Sequence, residues 1–105
     1  MISRIWHGYT IHANADTYEA LLKSEIFTGI RGRNIPGFQE IQLFRRDLEM
    51  EVEFVTIMWF DSIESVRVFA GTDYEAAVVP PKARKLLSRF DERSQHYEIR
   101  ERLKQ

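Results

Sequence analysis

An α+β fold, one antiparallel sheet with two helices on a single face, is predicted by three features of the sequence. Strand-like runs occupy residues 2–12, 38–48, 51–60 and 95–101; amphipathic helical stretches fall after the first and third of these; and turn-forming residues separate the pieces. The order is therefore β-α-β-β-α-β. Right-handed crossovers for its two split βαβ units give the ferredoxin-like arrangement, a four-stranded antiparallel sheet with both helices packed on one side.

The elements follow in order. "ISRIWHGYTIH" reads as the first strand, with His7 inside an apolar and aromatic run. "NADTYEALLKSEIF" places Tyr18, Leu21, Leu22 and Ile26 at helical spacing, with Asn14 or Asp16 as N-cap. Gly29, Gly32, Pro36 and Gly37 in "TGIRGRNIPGF" predict the break that ends this helix and leads to the second strand. "FQEIQLFRRDL" and "EVEFVTIMWF" form a hairpin around Asp47 to Glu49. "DSIESVRVFAG" opens the second helix, capped by Asp61 or Ser62, with Ile63, Val66 and Phe69 on one face and Gly71 after its end. "TDYEAAVVPPKARKLLSRF" is expected to form a short helical turn, a break at Pro80 and Pro81, and a helical piece turning Leu86, Leu87 and Phe90 inward. "QHYEIRE" returns as the last strand.

At 105 residues the chain makes one domain, 1–105, with room for a single core. Fifteen Lys and Arg against sixteen Asp and Glu leave a net charge of -1, which argues against a phosphate-backbone binder, so no nucleic-acid partner is expected. The basic cluster Lys82, Arg84, Lys85, Arg89 and Arg93 reads as a solvated helix face. The chain has no cysteine, hence no disulfide, thiolate metal site or cysteine nucleophile. His7, His12 and His96 are the only imidazoles and show no metal-ligand spacing, so no metal is expected. No apolar run approaches a membrane span or a signal core; no membrane association is expected, and the cytoplasm is the simplest location.

The third strand does not fit an isolated ferredoxin-like domain. It offers Phe54, Met58 and Phe60 to one side and Val55, Ile57 and Trp59 to the other, whereas a sheet wetted on one face should alternate apolar with polar. Each such side chain left in water forgoes roughly 1.5 to 3 kcal/mol. The second face is therefore expected to be covered, most simply by the same face of a second copy, giving a homodimer.

The strings "SRIWHG", "IPGF", "MWFDSIESVRVFAG" and "QHYEI", spread over nearly the whole chain, resemble small antibiotic biosynthesis monooxygenase-like proteins. The resemblance implies a dimeric α+β barrel. For function it implies a cofactor-free monooxygenase acting on a hydroxyaromatic or quinone-like molecule with O2, a haem-degrading enzyme, or a member with no turnover at all. Haem-degrading relatives carry a tryptophan in the second helix and a histidine ligand further along. Phe69 and Val79 stand near those positions here, and no histidine lies between His12 and His96.

Cofactor-free oxygenation needs a flat apolar site, a base near an acidic O–H or C–H, and exclusion of water. His7, His96 and Tyr9 are the candidate catalytic groups. Trp6, Trp59, Phe69, Tyr74 and Tyr97 could wall a small aromatic substrate, and Arg45 could hold a developing oxyanion. Each has a structural counterpart: a hydrogen-bonded strand histidine, rings that fill core or interface, and Arg45 and Arg46 as edge charges against aggregation. Strand parity puts His7 with Ile5, Tyr9 and Ile11 and puts Trp6 with Arg4, Gly8 and Thr10. Parity alone leaves open which set meets the helices. A non-catalytic dimeric ligand-binding or structural module is the alternative reading.

Overall fold

The computed structural model describes residues 1–105. The elements are β1 (Ile2–Thr10), α1 (His12–Leu21), a π-helical turn (Leu22–Ile26), α2 (Phe27–Gly32), β2 (Phe38–Asp47), β3 (Val52–Phe60), α3 (Ile63–Ala70), α4 (Pro81–Arg84), β4 (Arg89–Phe90) and β5 (Gln95–Glu98). The sheet runs β2-β3-β1, and both β4 and β5 pair with the remaining edge of β1; every pairing is antiparallel. This is the ferredoxin-like order, with its last strand in two short pieces.

The first helix differs from expectation at both ends. It starts at His12, two residues before Asn14, with no side-chain cap. Asn14 instead reaches the Leu86 carbonyl, and Asp16 pairs with Arg45. At the other end the helix passes through Gly29 to Gly32. A Cβ at Gly29 or Gly32 would meet nothing, so both glycines face open space and lose only helix propensity, about 1 kcal/mol each against alanine. Phe27 packs on the core around Tyr18 and Ile30 on the core around Phe60, and that burial carries the helix past the glycines. The π turn inserted between α1 and α2 re-phases the helix so that Leu22, Ile26, Phe27 and Ile30 look onto one cleft.

The expected helical turn over 72–79 is absent. This segment forms a strap: Ala76 bridges Arg93, and the Ala77 and Ser94 amides bond to the Glu92 and Glu75 carbonyls. The helix after Pro80 is a single turn, and Phe90 lies in β4 opposite Gly8. The free edge of β1 competes with helix continuation: the Ser88 amide and hydroxyl both donate to the Tyr9 carbonyl, at 2.7 and 3.0 Å. α3 behaves as its sequence predicts, with Ser62 accepting from the Ser65 amide and Gly71 following its end at φ 94°.

Register fixes the faces. Arg4, Trp6, Gly8 and Thr10 of β1 stand opposite Met58, Thr56, Phe54 and Val52 of β3, beneath the helices. Ser3, Ile5, His7 and Tyr9 stand opposite Trp59, Ile57, Val55 and Glu53 on the bare face. Under the helices the core falls into two clusters, one around Tyr18, Phe54 and Val52, the other around Phe60, Met58 and Val66. Only 17 of 105 residues are buried, because the bare face leaves Ile5, Val55, Ile57 and Trp59 half covered and Phe44 48% exposed.

Gly37 joins the helices to the sheet. Its φ is +84°, its carbonyl accepts from the Asp61 amide at 2.8 Å, and a Cβ there would lie 2.0 Å from the Ser65 hydroxyl. Gly37→Ala is expected to destabilise the protein by about 2 kcal/mol or more, through left-handed strain plus displacement of the buried Ser65. Urea unfolding of the two proteins measures it; a loss within 0.5 kcal/mol, roughly the noise of surface substitutions, would contradict the account.

Candidate active-site cleft

A cleft of about 60 Å³ opens between the two core clusters, bounded below by β1 and β3 and above by the helix and the strap. Its walls are apolar: Tyr18, Leu22, Ile26, Phe27 and Ile30 from the helix, Phe69 from α3, Val78, Val79 and Pro80 from the strap. Trp6 and Met58 supply apolar floor. Trp6 can lie along the strand because residue 8 is glycine; a Cβ there would stand 2.5 Å from the indole ring. Its Nε1 donates to the Asp91 carbonyl at 2.8 Å, which fixes the ring plane. The polar groups in this wall are Arg4, Thr56 and Ser94.

Arg4 is only 3% exposed and forms no salt bridge. Its Nη1 donates to the Tyr74 carbonyl and to His96 Nε2, the latter at 3.1 Å, and Nη2 donates to the Ala76 carbonyl at 3.0 Å. The guanidinium also lies 5.4 Å from the centre of the Phe69 ring. Burial lowers its pKa to about 10, so the group stays cationic at neutral pH. Guanidinium has no acceptor, so His96 Nε2 must be the lone-pair nitrogen and the ring is the neutral tautomer protonated at Nδ1. That Nδ1–H is buried without a partner, and the ring stands edge-on to Tyr74 at 5.2 Å. Desolvation first, then Arg4, pushes the His96 pKa down against a smaller opposing effect of Glu75. Ser94, 4% exposed, also has a buried hydroxyl with no partner.

The sequence candidates divide between the two sides of the sheet. Trp6 and Phe69 line the cleft, with Tyr74 and His96 behind Arg4. Arg45 lies outside it, on the edge strand, held by Asp16 and Glu19 at 2.9 and 3.0 Å. His7, Tyr9, Trp59 and Tyr97 belong to the bare face. There His7 Nδ1 sits 2.7 Å from Asp91 Oδ2, an arrangement that fixes the ring and leaves Nε2 without a protein partner. Tyr9 donates to Glu53 at 3.1 Å, and the Arg46 guanidinium on the same carboxylate holds Glu53 below the usual carboxylate range. Trp59 donates to Gln42 at 2.8 Å, and Tyr97 is 58% exposed. No three His, Asp or Glu side chains converge as a metal site would require, and no helix is long and apolar enough to cross a membrane.

Sequence reading missed Arg4, Thr56, Ser94 and Asp91. Arg4 could have been found: it shares parity with Trp6, Gly8 and Thr10, so any choice of that face for the core buries a charge. Ser94 and Asp91 became neighbours of the site only through the split of the last strand.

Because the neutral His96 is favoured by folding, the unfolded chain binds more protons in the window from about pH 6.5 downward to the native pKa. Stability is therefore expected to fall as pH drops through that window. His96→Gln keeps an acceptor for Arg4 but cannot protonate, so its melting temperature should vary less between pH 7 and pH 5. Parallel thermal melts at both pH values test this; identical slopes would refute the assignment.

No family model matches the chain, and no curated protein matches it. Among solved structures it is similar to a Bacillus cereus protein provisionally described as an antibiotic biosynthesis monooxygenase, with a TM-score of 0.61 and 11% identity over 99% of this chain and 94% of that one. At that identity the likeness establishes the fold, and the chain has the α+β, ferredoxin-like fold of that monooxygenase-like structure.

Proposed function

We propose that the protein is a cofactor-independent monooxygenase that oxidises a hydroxyaromatic or quinone-like small molecule with O2, working as a homodimer. The observation that carries this reading is the aromatic and apolar cleft between helices and sheet, walled by Trp6, Phe69, Phe27 and Tyr18 and supplied with only a few polar groups. The fold shared with the Bacillus cereus protein supports it.

The chemistry asks little of the protein. A ring bearing an acidic CH2 loses a proton, the anion passes one electron to O2, and the carbon radical and superoxide combine as a peroxide. Return of the proton and loss of water leave a carbonyl, so that CH2 + O2 becomes C=O + H2O. The cleft would orient the ring between Trp6 and Phe69 and exclude water from the radical pair. Arg4 would hold the anion. At about 60 Å³ the cleft is well below the ~300 Å³ of ordinary ligand pockets, so a fused-ring substrate requires the 78–80 strap to yield.

The His7–Asp91 pair favours a second placement of the same activity. An imidazole oriented by a carboxylate, with Nε2 free, has the geometry of a general base, and it lies on the face that the homodimer would cover. A dimeric module that binds a small molecule without turnover is the remaining alternative.

Oxygen uptake with a panel of hydroquinones and anthrones, without flavin or metal, tests the activity. Uptake is expected; Phe69→Ala should lower kcat/KM about tenfold, the scale of one lost ring contact, while His7→Ala leaves it within twofold. The reverse pattern would move the reaction to the bare face, and no uptake by a folded protein would leave the binding module.

The dimer rests on Ile5, Val55, Ile57, Trp59 and Phe44, an apolar field that a second copy would cover. Sedimentation equilibrium is expected to give twice the 12.5 kDa chain mass, and Ile57→Glu to give the monomer. A wild-type monomer at micromolar concentration would refute the assembly.

A further inference from the structure

Arg4 is a buried cation without a counter-ion. Of its five N–H groups, three are used: by the Tyr74 carbonyl, the Ala76 carbonyl and His96 Nε2. All three acceptors are neutral, since the histidine must be in its neutral form to accept. Carboxylates near the strap are already engaged elsewhere: Asp73 and Glu75 both pair with Arg93, at 2.7 and 3.2 Å. A buried charge left in this state costs several kcal/mol unless something neutralises it. A glutamine would satisfy the strap carbonyls without that penalty, so anchoring the strap does not account for an arginine.

The cleft holds a second unspent donor. Ser94 lies in the same wall, more than nine-tenths buried, and its hydroxyl has no partner. No carboxylate and no free imidazole nitrogen lines the cleft, so nothing in it can accept a proton from a neutral acid. One charged donor, Arg4, and the Ser94 and Thr56 hydroxyls are the polar groups of an apolar box with no base.

We infer that the cleft takes its ligand as a preformed organic oxyanion, a carboxylate or ionised hydroxyl on an aromatic body, with the oxygen seated against Arg4 and Ser94 and the ring between Trp6 and Phe69. His96 is a positioning residue: its Nε2 fixes one arm of the guanidinium. This inference deepens the proposed oxygenase reading, since it names the ionisation state in which the substrate of that cleft arrives. For an ionised hydroxyl conjugated with the reacting carbon it also explains how the reaction proceeds without a base in the cleft, because the proton has already gone to water; a carboxylate would only seat the ring.

Benzoate and benzamide have the same shape and differ in charge, which makes them suitable probes. Calorimetric titration of the full chain at pH 7 is expected to show benzoate binding about tenfold or more tighter than benzamide, the scale of one charge-assisted hydrogen bond. The Trp6 indole N–H resonance should move and that of Trp59 stay. Arg4→Gln should abolish the preference for the anion, and Ser94→Ala should weaken benzoate severalfold. If Arg4→Gln does not fold, the wild-type pair of probes and Ser94→Ala decide the matter. Equal binding of the two probes, or no benzoate binding, overturns the inference. Oxygen uptake from neutral hydroquinones that benzoate does not inhibit would also overturn it while leaving the oxygenase reading intact. Benzoate binding at Trp6 with no oxidation of any panel compound would uphold the anion seat and end the oxygenase reading.

Discussion

The placement of Arg4 on the helix-covered side of β1 organises the rest of the structure. β1 is the strand on which β3, β4 and β5 all pair, and Arg4 lies on its helix-covered side. A long cation there, its guanidinium against the Phe69 ring, interrupts the aliphatic packing on that side. The core is divided as a result, with Tyr18 and Phe54 on one flank and Phe60 and Val66 on the other. The cleft is the space that division leaves, and the strap over 72–79 covers it because its carbonyls are the acceptors the guanidinium needs. One unsatisfied electrostatic requirement thus accounts for the cavity, its roof and the neutral state of His96.

The two sides of the sheet use their polar groups in opposite ways. Beneath the helices, charge and hydroxyl stand with donors unspent, at Arg4 and Ser94. On the bare face the less exposed polar groups are paired: His7 Nδ1 with Asp91, Tyr9 and Arg46 with Glu53, Trp59 with Gln42. A surface that a second sheet would cover can bury satisfied pairs at small cost, whereas a buried donor without a partner costs free energy until something completes it. On the proposed reading this asymmetry would separate a binding side from an assembly side.

How much of this could be read from the residues depended on the range of the interaction. The element order, the hairpin, the Ser62 cap and the two-faced apolar character of β3 are local patterns, and all are present in the fold. The helix running through Gly29 and Gly32 was hidden, because burial of Phe27 and Ile30 on distant strands overrides a local preference to stop. The strap was hidden for the same reason: "DYEAAVV" carries helix formers, yet its carbonyls are claimed by an arginine about seventy positions earlier. Parity correctly grouped Trp6 with Arg4 and His7 with Tyr9, and only the register of the finished sheet says which group lies under the helices.

That one missing bit of information explains why the site candidates divided. Choosing residues by chemical type favoured His7 and Tyr9, whose hydrogen-bonding groups suit catalysis, and passed over Arg4, which looks like an ordinary charge in an alternating strand. Once the face is known the weights reverse. His96 has spent its lone pair on Arg4, so in this arrangement it is a donor and not a base. The groups with unfilled hydrogen-bonding capacity are then the ones that define the cleft's chemistry. A pocket whose one charged group is a buried guanidinium, and which holds no carboxylate, selects for negative charge whatever reaction follows, and a fold that hosts many reactions can be narrowed by that selection before any turnover is known.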